Sequence, residues 1–169
     1  MISWNDITGI GDTVVMLPAA AVIGAWLLAA RAARMAVRWC AMFGAALVCV
    51  LMTKIAFAGW GIGIRAFDFA GISGHAMRAL AVLPVLCYLA LRHAPARWRV
   101  AGVALGMLGG GLISASRLAL QLHSLSETVA GAALGLLVSL GFIWVCRAAP
   151  MRTIPRSLMG KRLVCTVCT

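Results

Sequence analysis

Apolar positions along this chain fall into five near-continuous runs: about Asp12–Ala30, Val37–Gly59, Ile72–Leu91, Val100–Leu120 and Leu125–Cys146. Each approaches or exceeds the roughly 20 helical residues that cross a bilayer. Strand alternation is not the organising pattern, so the runs predict an all-α, polytopic transmembrane helical bundle of about five spans. Pro18 and Pro84 lie inside two runs, where membrane helices tolerate proline better than soluble ones do. Small residues recur, notably Gly131-x-x-x-Gly135 and Gly109-Gly110-Gly111. They suit close backbone approach between helices in lipid. The triple glycine fits a flexible point equally well, and Gly131/Gly135 fits packing within or between chains.

Composition agrees. The chain has 169 residues, is 63% hydrophobic and has a mean hydropathy of +1.02, too apolar for a soluble domain of this length. Asp6 and Asp12 near the start, with no early Lys or Arg, do not resemble a cleaved signal peptide. The expected organisation is one transmembrane domain over residues 1–148 and a basic tail over 149–169.

Charge sharpens the topology. A formal charge of +11 would suggest nucleic acid in a soluble protein, but its distribution argues for a membrane. Arg31, Arg34, Arg38, Arg92, Arg97, Arg99, Arg147, Arg152, Arg156, Lys161 and Arg162 all fall on one side of a five-span arrangement. The positive-inside rule makes that side cytoplasmic, with the N-terminus outside and the C-terminus inside. No nucleic-acid partner is expected; the bilayer is, and the tail can also meet anionic headgroups. Trp4, Trp60 and Trp98 read as interfacial anchors. Cys40, Cys49, Cys87 and Cys146 sit in or at the ends of apolar runs, where cysteine behaves as a small hydrophobe. Cys165-x-x-Cys168, with no second pair, reads as a reduced tail and not as a zinc site.

The remaining charges need another explanation. Lys54, Arg65, Arg78, Arg117, Asp6, Asp12, Asp68 and Glu127 gather at the opposite, outer face, together with His75 and His123; His93 stays in a basic loop as a solvated bystander. Ionisable groups at membrane depth are costly and default to a functional reading. Three separated segments thus deliver polar groups to one end of the bundle.

Their chemistry suits phosphate. Ser73-Gly74-His75 opens the third run, where free N–H groups and the helix dipole make an anion seat. Lys54, Arg65 and Arg117 can surround the same anion, and phosphoryl transfer depends chiefly on positioning and charge stabilisation. One histidine can attack phosphorus while the other protonates the departing oxygen. Glu127 follows His123 by four residues, the spacing of one helical face, and can fix its tautomer. Ser124 and Glu127 also fit a capping box, in which the carboxylate serves a backbone N–H. That cap would leave His123 outside the helix and less directly met by Glu127. No metal-ligand spacing stands out, so the expected mechanism uses no metal and no cofactor.

These residues resemble the motifs of the type 2 phosphatidic acid phosphatase (PAP2) superfamily of membrane lipid phosphatases. The family's third motif, Ser-Arg, five residues, His, three residues, Asp, is matched by Ser116, Arg117 and His123, with Glu127 in the acidic position. Its second, Pro-Ser-Gly-His, is matched by Ser73, Gly74 and His75, with Ile72 in place of proline. Its first, Lys, six residues, Arg-Pro, is half present: Lys54 fits, and Gly61 stands where arginine belongs. The resemblance covers about Lys54 to Gly135 and implies a PAP2-like core. It implies that His123 is a nucleophile forming a phosphohistidine, that Glu127 orients it and that His75 is the general acid. Lys54, Ser73, Gly74 and Arg117 then hold phosphate, and Arg65 is the nearest substitute for the missing arginine. Arg78, one turn beyond His75, either joins the site or faces headgroups.

The implied function is hydrolysis of a lipid phosphate or diphosphate at the outer face of a bacterial inner membrane. Polyprenyl diphosphates such as undecaprenyl diphosphate, phosphatidic acid, phosphatidylglycerol phosphate and lipid A phosphates all fit. Three departures bear on it: the longer acid at 127, the weakened first motif, and five spans where many relatives have six. Other readings use the same residues: a phosphotransferase passing the phosphoryl group to another lipid, a haem protein with His75 and His123 as axial ligands, or an inactive lipid-binding protein. Oligomeric state is unreadable.

Overall fold

A computed structural model describes residues 8, 9, 11–61 and 71–148, and the elements in it are helices. Helices α1 (Thr13–Ala29), α2 (Ala33–Trp60), α3 (Gly74–Ala90), α4 (Ala96–Ala119) and α5 (Leu125–Ala148) correspond one to one with the five apolar runs. Of these, α2, α4 and α5 are long and apolar enough to cross a membrane. Helices α1 and α3 have 17 residues each, at the short end of the spanning range. Arg65, Asp6, Asp68, Trp4, Cys165, Cys168 and the 149–169 tail lie outside the described residues.

Two helices start earlier than hydropathy suggests. Helix α2 begins at Ala33 instead of Val37, and α4 at Ala96 instead of Val100. Arg34, Arg38, Arg97 and Arg99 therefore sit within helices and not in links. Long arginine stems run along apolar surface while the guanidinium stays in water, so a helix can continue into a charged sequence. Trp60 and Trp98 are exposed, as interfacial anchors would be. His93 is exposed too, and its Nε2 accepts a hydrogen bond from Arg92 Nε (2.9 Å).

Two links are made tight by the same device. After α4, Gln121 has φ +54°; its N–H donates to Leu118 O (3.0 Å), and the Leu122 N–H donates to Arg117 O (3.0 Å). After α1, Arg31 has φ +55°, with Arg31 N–H to Leu28 O (2.8 Å) and Ala32 N–H to Leu27 O (2.9 Å). These are Schellman turns in which a long polar residue takes the left-handed position usually given to glycine. The first sets the direction in which the chain leaves Arg117 and reaches His123.

Helix α3 is the hub, packed chiefly against α4 and α5 and also touching α1 and α2. Eleven of its 17 residues are buried. Glycines permit that approach. A Cβ on Gly131 would clash with the Ser73 carbonyl oxygen, and one on Gly135 would lie 2.5 Å from Met77 O and 2.9 Å from Leu80 Cβ. The Gly131/Gly135 pair thus packs within the chain, against the opening turns of α3. Helix α4 contributes a stripe the sequence reading missed, Gly102, Gly106 and Gly110 at four-residue spacing; a Cβ on Gly106 would lie 2.7 Å from Pro84 Cα. The triple glycine is not a break, because α4 runs through it and Gly110 meets Leu80. Away from the candidate site, buried Trp39 joins three helices: its ring packs on Phe43 and Phe142, and its Nε1–H donates to Ala20 O (3.0 Å).

The approach to α3 is held from both sides. The Ile72 N–H donates to Thr53 Oγ1 (3.2 Å) from α2, and the Ser73 N–H donates to Glu127 O (3.0 Å) from α5.

Two consequences for stability follow. Gly135→Val should cost at least about 2 kcal/mol, because overpacking against backbone cannot relax through a side chain. Gly111→Ala, where a Cβ meets nothing within 4 Å, should be neutral or stabilising by up to about 1 kcal/mol; thermal unfolding of both in detergent makes the comparison. Thr53→Val keeps shape but orphans the Ile72 N–H. It should cost about 1–3 kcal/mol in the same assay.

Candidate active site

Of the polar residues singled out above, Lys54, His123 and Glu127 meet at one cavity, and Arg78, Arg117, Asp12 and His123 act on the His75 ring. A cavity of about 320 Å³ is lined by Lys54 and Phe57 from α2, Gly71 from the turn before α3, Leu122 and His123 from the α4–α5 link, and Glu127 from α5. Gly71 has φ +140° and lies against the Lys54 backbone, where a Cβ would be 3.5 Å from the lysine N. The positive φ is what requires glycine there; the spacing to the lysine backbone is ordinary van der Waals contact.

Glu127 performs two tasks at once. Its Oε2 accepts from His123 Nδ1 (2.7 Å) and also lies 3.3 Å from the Ser124 N–H, while its own N–H donates to Ser124 Oγ (3.3 Å). The capping box and the histidine contact therefore coexist. His123 stands just outside α5, as that cap requires, yet the carboxylate meets it directly. The extra methylene of glutamate spans the distance back from the third helical position. Glu127 is 7% exposed. An ionised carboxylate only accepts, so Nδ1 is the protonated nitrogen and Nε2 carries the lone pair.

Buried donors surround the same end. Ser73 is fully buried, and its Oγ has no hydrogen-bond partner among the described residues; the same holds for Arg78 Nε and Arg117 Nε. Of the two placements open to Arg78, its guanidinium takes the one beside the site: a Cβ on Gly74 would come within 3.0 Å of Arg78 Nη1. Gly74 thus leaves space for a cation at the N-terminus of α3. The charges of Arg117, Arg78, Asp12 and His123 all act on the His75 ring, so both motif histidines occupy one electrostatic neighbourhood. Ser116 is different. It is buried and its Oγ donates to Ile113 O within α4 (2.7 Å), which makes it a packing residue. Arg65 lies outside the described residues. Among the described residues no three His, Cys, Asp or Glu side chains form a group able to hold a metal ion.

The sequence carries no sign of Thr8, and it places Asp12 at the outer face without showing its partner. Asp12 Oδ1 lies 3.8 Å from His75 Nε2, and Arg117 Nη1 donates to Thr8 Oγ1 (3.4 Å). Nothing in their spacing marks them, because they reach the site from a segment remote from every motif. Asp12 looks in isolation like a helix cap, and it is one, accepting from the Thr13 N–H.

Known proteins resemble this chain in sequence and in fold. The profile of the PAP2 superfamily matches residues 65–151, half of the chain, beginning after Lys54 and the weakened first motif. An "Uncharacterized 22.5 kDa protein in cps region" from Klebsiella pneumoniae is 34% identical over 149 residues, covering 88% of this chain and 71% of that protein. The crystal structure of a transmembrane PAP2-type phosphatidylglycerolphosphate phosphatase from Bacillus subtilis superposes with a TM-score of 0.68 at 22% identity, covering 88% of this chain and 78% of that one. With five apolar helices, a matching family profile and a matching transmembrane fold, this chain is a multi-pass membrane protein of the PAP2 superfamily.

Proposed function

We propose that this protein is a metal-independent phosphatase of lipid phosphates or diphosphates, working through a phosphohistidine at the outer face of a bacterial inner membrane. The observation that carries the reading is the 2.7 Å contact between His123 Nδ1 and Glu127 Oε2 beside Lys54, at the wall of one cavity. A histidine held in that tautomer offers Nε2 as nucleophile. Family membership supports phosphatase chemistry. The match to a phosphatidylglycerolphosphate phosphatase supports a lipid monoester among the substrates. The one-sided distribution of arginines supports placing the site outside, the N-terminus with it and the C-terminus in the cytoplasm.

The reaction runs in two displacements. His123 Nε2 attacks phosphorus; the bond to the lipid oxygen breaks, and that oxygen takes its electron pair and a proton from His75. Water then attacks the phosphohistidine and yields its proton to His75, the P–N bond breaks, and phosphate leaves. Ser73 Oγ, Lys54, Arg78 and Arg117 stabilise the equatorial oxygens, and the N–H groups opening α3 add a dipole aimed at the anion. The buried, partnerless Ser73 Oγ suits this work, because it need not release another group to bind phosphate.

Phosphate release from a panel of lipid phosphates in EDTA tests the proposal. His123→Asn should lower kcat at least about 1000-fold and abolish acid-labile, protein-bound phosphate; wild-type turnover by this variant would remove His123 as nucleophile. Glu127→Asp restores the family's usual residue but shortens the reach to His123. It should lower kcat about 100-fold, and unchanged kcat would show that length is immaterial.

A further inference from the structure

Resting on the phosphatase reading, the geometry points to Asp12 as a selectivity residue that favours phosphomonoester lipids over diphosphate lipids. Three contacts bring its segment to the site. Asp12 Oδ1 lies 3.8 Å from His75 Nε2, Thr8 Oγ1 accepts from Arg117 Nη1, and Gly11 packs so closely that a Cβ would clash with Ile113 Cγ2 and lie 3.8 Å from His75 Cδ2. Thr8, Gly11 and Asp12 therefore lie against His75 and Arg117, although no motif includes them.

The side of the site that Asp12 occupies matters. In an in-line displacement the nucleophile and the leaving oxygen stand on opposite sides of phosphorus. His123 attacks, so the acid His75 faces the leaving oxygen, and a carboxylate beside His75 is on the leaving-group side. There a monoester presents a neutral carbon, whereas a diphosphate presents a second phosphate with its negative charge one bond away. The groups acting on this region are Arg78 from α3, Arg117 from α4, His123 from the α4–α5 link and Asp12 itself. Two arginines alone would welcome a second anion; Asp12 offsets part of their field and opposes it. Selection by a repulsive charge needs no added contact with the preferred substrate. The Asp12 side chain is 55% exposed, so water screens the effect and sets it at about tenfold, the scale of a charge pair several ångströms apart in a partly aqueous setting.

The test uses Asp12→Asn, which removes the charge and keeps a strong helix-capping residue; Asp12→Ser is the second variant, should the first not yield folded protein. Full-length protein in detergent is assayed with a phosphatidic acid and a polyprenyl diphosphate, and inorganic phosphate and pyrophosphate serve as competitive inhibitors. The kcat/KM ratio of diphosphate to monoester should rise about tenfold in the variant, and the Ki for pyrophosphate should fall relative to that for phosphate. A wild type that turns over while both ratios stay within twofold in the variant would overturn the role of Asp12 and leave the phosphatase reading intact. A wild type that releases phosphate from no lipid would overturn the phosphatase reading, and this inference with it.

Discussion

One carboxylate joins the parts of this site. Glu127 holds the ring of His123 and caps the Ser124 N–H with the same oxygen, while its backbone carbonyl takes the N–H of Ser73. The α4–α5 link, helix α5 and the approach to α3 are thereby fixed relative to one another. A carboxylate this buried is tolerated only when its acceptor capacity is met, and the partners that meet it belong to the candidate site. The interactions that keep an acidic group inside an apolar bundle also set the tautomer of the nearby imidazole.

Packing reinforces this from below. In lipid, helices gain little from hydrophobic burial against each other, so association depends on close contact and on hydrogen bonds. Gly131 and Gly135 let α5 touch the α3 backbone at Ser73 and Met77, and Gly106 and Gly110 let α4 touch it at Pro84 and Leu80. Helix α3 is thus gripped on two sides, and its N-terminus, bearing Ser73, Gly74 and His75, is placed with little freedom. Precision of that kind is what a reaction catalysed by positioning demands.

Departures from the family motifs have local accommodations. Ile72 stands where proline is usual, and its N–H, which proline lacks, donates to Thr53 Oγ1. Glu127 stands where aspartate is usual, and its greater length reaches a histidine that lies before the helix. The first motif lacks its arginine at Gly61; that glycine instead ends α2 with φ +64°, while Arg78 supplies a guanidinium over Gly74.

The five helices, their approximate limits and the grouping of the candidate-site residues could be read from the chain alone. Those properties follow from the lengths of apolar runs and from the cost of placing ionisable groups in hydrocarbon, and both are local in the chain. Motif spacing within single segments likewise picked out His75, His123, Glu127, Lys54, Ser73, Gly74 and Arg117 as candidates. Packing was needed to reveal that Arg78 folds back over Gly74, that Ser116 turns into its own helix, and that one oxygen of Glu127 serves both cap and imidazole. The contacts of Asp12 and Thr8 were illegible for the same reason: their neighbours, His75 and Arg117, are 63 and 109 residues away in the chain. Which residues meet across such intervals is set by how helices pack, and helix packing here is governed by glycines whose partners no linear pattern names.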